Sequence, residues 1–286
     1  MTLDEIRQFY AEEVRLAAPL RRPAVVEAFA HVPREQFLGA GPWQIALGDM
    51  GAGAAYMATE DADARHVYHN VSVALDVSRP LINGQPATLG RWVDELAIEP
   101  GERVYHLGCG VGYYTAILAA LTPTGQVLAS EFDEQLAARA RDNLSRYSNV
   151  SVHAGDGVLF DPGPCHAMLI NAGVTFPLLR WLDRLHDRGR MIVPLTVSMG
   201  PTLGKGVVVK VTREGEGFSS RVIGLAVIYN CAGARNSDLE PALGKAMSTG
   251  ALMKIASVRR EPHTPDAACI LHTADLCLSS ARLDAP

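Results

Sequence analysis

Apolar positions recur every three to four residues in some stretches of the chain and every second residue in others, and the switch between these periods marks the elements. Residues 4–30 carry helical stripes that end near "HVPREQFL". The next stretch, "GAGPWQIALGDMGAGAAYMATEDADA", is rich in Gly and Ala and weakly periodic, and reads as a loop or mobile cover. "VYHNVSVALDV" then alternates like a strand. After "LINGQP" the helical period returns. Pro86 suits a first helical turn, where its missing N–H costs nothing, and Leu89, Trp92, Val93 and Leu96 follow at i, i+3, i+4, i+7 as one apolar face.

Beyond the turn "EPGERV" strands and helices alternate. "RVYHL" and "GQVLASEF" predict strands, "TAILAALT" a helix, and "DEQLAARARDNLSRY" an amphipathic helix whose acidic start suits its N-terminus. "NVSVHAGDG", "AMLINAG", "RMIVPLTV", "GKGVVVKVT" and "SRVIGLAVIYN" predict further strands. Such alternation predicts a doubly wound α/β fold, mostly parallel and covered on both faces. The late strands have little helix between them, so the far edge is expected to be antiparallel. From about residue 232 the tail offers one helix, "DLEPALGKAMS", and alternating segments ending in "ACILHTADLCLSS". No internal repeat or low-complexity tract is present.

Composition narrows the picture. The chain has 286 residues, 48% of them apolar, which is enough for a substantial core. Its net charge of −5 supplies no basic field, so no nucleic-acid partner is indicated. The N-terminal stretch is charged and helical in period, and no apolar run is long enough to span a membrane, so a soluble cytoplasmic protein is expected. Five scattered cysteines, an odd number, fit reduced thiols better than a disulfide frame.

The chemistry gathers at "VYHLGCGVGYYT". Gly108, Gly110 and Gly112 follow the first sheet strand and open a helix, where glycine allows a tight turn and close approach of a ligand to the main chain. A glycine triplet alone is a weak signal. Glu131, at the end of the next strand, can accept hydrogen bonds from both hydroxyls of a ribose. Asp156 and Gly157 end the third strand, placed to flank an adenine, and Asn171 ends the fourth. All fall at the carboxyl ends of parallel strands, where such sheets bind ligands. A dinucleotide site wants a third glycine where this chain runs G-x-G-x-G into two tyrosines, so S-adenosylmethionine is favoured over NAD. Cys109, Tyr113 and Phe132 complete the cofactor-binding candidates; Cys109 reads as a small filler, and of Tyr113 and Tyr114 one is expected in the core.

These stretches resemble the protein-L-isoaspartate O-methyltransferases. "HVPREQFL" is similar to that family's N-terminal helix end, "GERVYHLGCGVGYYTAILAAL" to its glycine loop and helix, "SEFDEQLAARARDNL" to its acidic strand end, and "NVSVHAGDG" to its third strand. The resemblance runs to about "VIYN". It implies a Rossmann-like class I methyltransferase sheet that binds S-adenosylmethionine, uses no metal and methylates the side-chain carboxylate of isoaspartate in damaged proteins. The chain is expected to divide into N-terminal helices and cover (1–80), the S-adenosylmethionine-binding domain (81–231) and a C-terminal extension on the same domain (232–286). Where the family commonly reads Thr-Ile-Ser-Gln-Pro, this chain has "INGQP": Gln85 and Pro86 match, but the serine position is Gly84. An altered acceptor, a small molecule or a peptide or protein, is therefore expected.

Asn83, Gln85 and His69 are the candidates beside the reaction. Asn83 either replaces the lost polar contact or belongs to an Asn-Gly turn capping the helix. A carboxylate acceptor is ionised at neutral pH and needs no base, whereas an alcohol or amine would draw on His66, Tyr68 or His69. The remaining readings are a true isoaspartate repair enzyme that tolerates Gly84, an NAD-binding oxidoreductase, and a nucleoside-binding module without catalysis. His66-x-x-His69 lacks an evident third metal ligand. In the tail, period two sets His272 on the face opposite Cys269 and Cys277, which argues against a joint metal site there.

Overall fold

Thr2 opens the first helix, α1 (Leu3–Ala17), with a capping box: its hydroxyl accepts the Glu5 N–H at 3.2 Å and Glu5 returns a bond to the Thr2 N–H at 2.7 Å. The computed structural model describes residues 1–48 and 55–283. Two compact units make up the chain, Met1–Gly155 and Asp156–Pro286.

In the first unit α1 is followed by α2 (Pro23–His31) and the short α3 (Glu35–Leu38). The loop expected over 39–64 instead contains β1 (Gln44–Leu47) and β2 (Ala55–Ala58), paired antiparallel. With β3 (Val73–Asp76) and β4 (Leu81–Asn83) they form a four-stranded sheet ordered β2-β1-β3-β4. Gly and Ala conceal the period here, since only Trp43 and Ile45 mark the buried side of β1. Residues 49–54 of that stretch lie outside the described residues. As expected, α4 (Pro86–Leu96) starts at Pro86 and buries Leu89, Trp92, Val93 and Leu96.

Three parallel strands follow in the order β5 (Arg103–Leu107), β6 (Gln126–Glu131), β7 (Val150–Ala154). Between them run α5 (Tyr113–Leu121) and α6 (Glu134–Leu144). Asp133 caps α6 by accepting the Leu136 N–H at 2.9 Å. Eight of the nine residues of α5 are buried, so this helix is enclosed rather than amphipathic.

The second unit begins its sheet with β8 (Cys165–Ile170), parallel to β9 (Leu185–Ser198), with α7 (Leu179–Asp183) between them. The hairpin of β10 (Leu203–Glu214) and β11 (Gly217–Tyr229) runs antiparallel beside β9, which is the expected change of sense late in the chain. The tail adds α8 (Glu240–Ser248) and three short strands, β12 (Ser257–Arg259), β13 (Cys269–His272) and β14 (Cys277–Ser279), all antiparallel. Within this unit the strand order is β13-β14-β12-β11-β10-β9-β8.

One expectation for the tail is overturned. Cys269 pairs with Ser279, Leu271 with Leu278 and His272 with Cys277, with an irregularity between Cys269 and Leu271. The extra residue resets the alternation by one. Cys269, His272 and Cys277 therefore share a face, where strict period two would have separated the histidine from the thiols.

Candidate functional site

The glycine loop links β5 to α5, and three glycines in it take left-handed backbone. Gly108, Gly110 and Gly112 have φ of 75°, 56° and 93°. Two of them serve different purposes. A Cβ on Gly112 would lie 2.7 Å from Leu144 Cδ1, so the bare backbone lets the start of α5 close on α6. A Cβ on Gly110 would meet nothing within 4 Å, so the loop presents open space there. The loop is tied to the next strand by the Gly108 and Cys109 N–H groups, both donating to the Ser130 carbonyl at 2.9 and 3.1 Å.

Glu131, the last residue of β6, faces this loop. Its Oε2 accepts the Gly110 N–H at 2.7 Å and its Oε1 the Asp133 N–H at 3.1 Å. The residue is only 9% exposed, and burial raises its pKa above the ordinary carboxylate value despite these bonds. Each oxygen keeps a lone pair for another donor. The next residue, Phe132, is 62% exposed. Cys109 is buried, and burial, followed by the charge of Glu131, pushes its thiol pKa up, so it is a neutral filler. Tyr113 is fully buried among Tyr10, Phe29, Phe37 and Tyr114, with its hydroxyl 3.0 Å from that of Tyr10.

Each residue of "NGQ" has its own partner. Asn83 is buried, and its Oδ1 accepts both Nε and Nη2 of Arg34, at 3.1 and 3.0 Å. The Gly84 carbonyl accepts the Tyr114 hydroxyl at 2.5 Å. Gln85 donates to the Asn70 carbonyl at 3.2 Å and accepts from Thr88 at 3.1 Å. Asn70 in turn accepts the Ala87 N–H at 2.8 Å, so it, rather than Asn83, satisfies the start of α4. The stretch is thus a clasp that joins β4, the 67–71 turn and the helix of the glycine loop.

Of the proton-acceptor candidates, Tyr68 is buried and bonded by Arg7, Glu35 and the Arg34 N–H, and burial, then Glu35, push its pKa up. His66 sits 2.9 Å from Asp61. The His69 side chain is 62% exposed with Glu13 3.8 Å away.

Arg34 was missed by sequence reasoning. It is fully buried, and besides Asn83 it donates to the carbonyls of Val67, His69 and Val71 at 2.9, 3.1 and 2.8 Å. A fork of five donors suits such a set of oxygens. The stretch "HVPREQFL" mixes polar and apolar residues, and nothing in it singles out Arg34.

Asp156, Gly157 and Asn171 belong to the second unit. Asp156 Oδ1 accepts the Val158 N–H at 2.8 Å. Gly233, at φ 77°, passes so close that a Cβ there would lie 2.6 Å from Asp156 Oδ2. Gly157 is buried and Asn171, directly after β8, is half-buried. Cys231 is buried, and burial followed by the Asp156 charge pushes its thiol up to about 12.

A family model described as "Protein-L-isoaspartate(D-aspartate) O-methyltransferase (PCMT)" matches residues 11–230. The chain belongs to this family. Two curated relatives are each named "Protein-L-isoaspartate O-methyltransferase". That of Shewanella amazonensis is 30% identical over 210 residues, covering 72% of this chain and 85% of the relative. That of Methylorubrum extorquens is 31% identical over 226 residues, covering 77% and 85%. A solved structure titled protein-L-isoaspartate O-methyltransferase superposes with a TM-score of 0.64 at 19% identity, covering 85% of this chain and 69% of that one. Another, a putative family member from Plasmodium falciparum in complex with S-adenosyl-L-homocysteine, gives a TM-score of 0.52 at 14% identity, covering 79% and 97%.

The fold is thus that of the class I methyltransferases, and the chain is an S-adenosylmethionine-dependent methyltransferase. This removes the oxidoreductase reading. The residues of the first unit suit the cofactor: the space over Gly110 admits a ligand against bare backbone, and Glu131 retains acceptor capacity beside it. The family model ends at residue 230, so the tail beyond it is an addition to the matched region.

Proposed function

We propose that this methyltransferase acts on an acceptor carboxylate or hydroxyl, of a peptide, protein or small molecule, at a site altered from that of the isoaspartate repair enzymes. The observation that carries this reading is Gly84. At the position of the family's serine there is no side chain, and the backbone carbonyl is held by Tyr114 at 2.5 Å. A Cβ at that position would stand 3.0 Å from Leu89 Cδ2, so Leu89 occupies part of the space a serine would need.

In the proposed arrangement the Gly108–Gly112 loop and Glu131 hold the nucleoside and its amino-acid tail, and Phe132 offers an exposed aromatic face to the adenine. Asp156, Gly157 and Asn171 are proposed as further cofactor-binding residues on the family resemblance. When bound, S-adenosylmethionine supplies an electrophilic methyl group on a sulfonium. An acceptor oxygen would form the new C–O bond as the S–C bond breaks and its electron pair stays on sulfur, a carboxylate giving a methyl ester and a hydroxyl giving an ether with its proton released to solvent. The protein's part is alignment and exclusion of water. A carboxylate acceptor arrives ionised, so no general base is needed, in keeping with the surface position of His69 and the engaged Tyr68 hydroxyl. Asn83 and Gln85 are proposed to shape the acceptor side through their backbone. Their side chains are engaged by Arg34, Asn70 and Thr88. The reduced thiols suit a reducing compartment, and we propose the cytoplasm.

The test is methyl transfer from labelled S-adenosylmethionine to an isoaspartyl peptide, with the aspartyl peptide as control. The altered-acceptor reading expects no selective base-labile ester on the isoaspartyl peptide while the cofactor still binds. Selective, efficient transfer would overturn it in favour of repair. Under the altered-acceptor reading, Gly84→Ser should raise isoaspartyl transfer by about tenfold over the wild-type background, the worth of one added hydrogen bond. It should also cost about 1 kcal/mol of stability, because Leu89 must yield.

A further inference from the structure

We propose that His263, Cys269, His272 and Cys277 form a structural zinc site in the C-terminal tail. One ligand atom from each of the four lies within 4.8 Å of all the others. No other such cluster of His, Cys, Asp or Glu occurs among the described residues. Two thiolates and two imidazoles are the ligand set that tetrahedral zinc takes in structural sites, and together they neutralise its charge.

The geometry is close to what the ion requires. With Zn–S of roughly 2.3 Å and Zn–N of roughly 2.05 Å, the S···N edge of a tetrahedron is roughly 3.5 Å. Cys269 Sγ and His263 Nε2 are 3.5 Å apart. His263 Nδ1 lies 2.8 Å from the Glu261 carbonyl, which takes its proton and leaves the Nε2 lone pair directed at the cluster. His272 Nδ1 is buried with no hydrogen-bond partner, a deficit that a ligated ion removes. The Asp266 N–H points at Cys269 Sγ from 3.3 Å, as expected of a donor that stabilises a thiolate.

The backbone is built to converge these groups. The bulge between Cys269 and Leu271 puts Cys269 and His272 on one face, and His272 pairs directly across from Cys277. Arg259 pairs with both Glu261 and Asp266, at 3.0 and 2.9 Å, and so anchors both ends of the irregular 261–266 segment that carries His263. The strands β12, β13 and β14 have three, four and three residues, too short to be stable by pairing alone, and a metal staple is the usual remedy for so small a core. Four protein ligands leave no open coordination position, so the ion has a structural role and takes no part in methyl transfer.

The experiment uses the full-length chain, purified without chelator and kept reduced. Elemental analysis should find about one zinc per chain. Replacement of the zinc by Co(II) should produce tetrahedral d–d bands and a thiolate-to-cobalt charge-transfer band. Cys269→Ser and Cys277→Ser should each weaken that band, and removal of the ion with a chelator should lower the thermal midpoint of the otherwise intact chain. The wild-type cobalt spectrum is decisive if the variants fold poorly. Zinc below about a tenth of an equivalent together with no charge-transfer band would overturn the site. So would a cobalt spectrum unchanged in Cys269→Ser, or a Cys269–Cys277 disulfide found in the chain kept under reducing conditions.

Discussion

Replacing Arg34 with Ala should destabilise the protein by about 3–5 kcal/mol, measured as a fall in the urea midpoint. The residue is fully buried, and its guanidinium satisfies the carbonyls of Val67, His69 and Val71 and the Asn83 side chain together. Removing it leaves four acceptors to find other donors, two of them, the Val67 carbonyl and Asn83 Oδ1, in buried bonds and two in part-buried ones, each at a cost of about 1–3 kcal/mol if buried and unpaired. It also opens a cavity beneath the Tyr113 ring, over which the guanidinium sits at 5.7 Å. Arg34→Lys should recover little, because one ammonium cannot reproduce the planar fork. A loss below about 1 kcal/mol in Arg34→Ala would show that solvent reaches these carbonyls. The functional readout should follow the structure. Arg34 orients Asn83, and Asn83 precedes Gly84, so residual folded protein should lose methyl transfer more than cofactor affinity.

The Gly108–Gly112 loop, the helix starting at Pro86 and the parallel strands were legible because each rests on local rules: a positive φ that favours glycine, a fixed φ at proline, and a short apolar strand before an amphipathic helix. The strands β1 and β2 were not legible, since Ala and Gly carry little period-two signal. Arg34 bonds to Asn83 across 49 residues of sequence, and no local pattern predicts that pairing. It changes the reading of "LINGQP" from a polar knot aimed at the reaction to a clasp whose side chains are spent on structure. The tail shows the same limit in another form. Period two is sound for a regular strand, but one inserted residue inverts every later side chain, and a bulge has no signature in the alternation it interrupts.

Replacing Glu131 with Ala should weaken S-adenosylmethionine binding by about 1.5–3 kcal/mol, roughly ten- to 150-fold in Kd, if its carboxylate takes the ribose hydroxyls. An unchanged Kd by calorimetry would remove Glu131 from the cofactor site. Glu131→Gln keeps one acceptor oxygen near the Gly110 N–H and should lie between Ala and the wild type. The pH dependence separates this role from a structural one. Burial holds the Glu131 pKa above its ordinary value, so the carboxylate takes up a proton at a higher pH than an exposed glutamate would. Only the ionised form accepts from two hydroxyls, so cofactor affinity should fall as the pH drops through that raised pKa. The stability of the free protein should move the other way. A carboxyl whose folded pKa is raised binds its proton more tightly when folded, so its contribution is fully present below the unfolded pKa and is lost as the pH rises through the folded one. Across one acidic window the wild type should therefore lose affinity while this group's contribution to stability grows, and Glu131→Gln should flatten both trends. If the mutant retains both slopes, the titrating group lies elsewhere and the loop is held by its backbone bonds to Ser130.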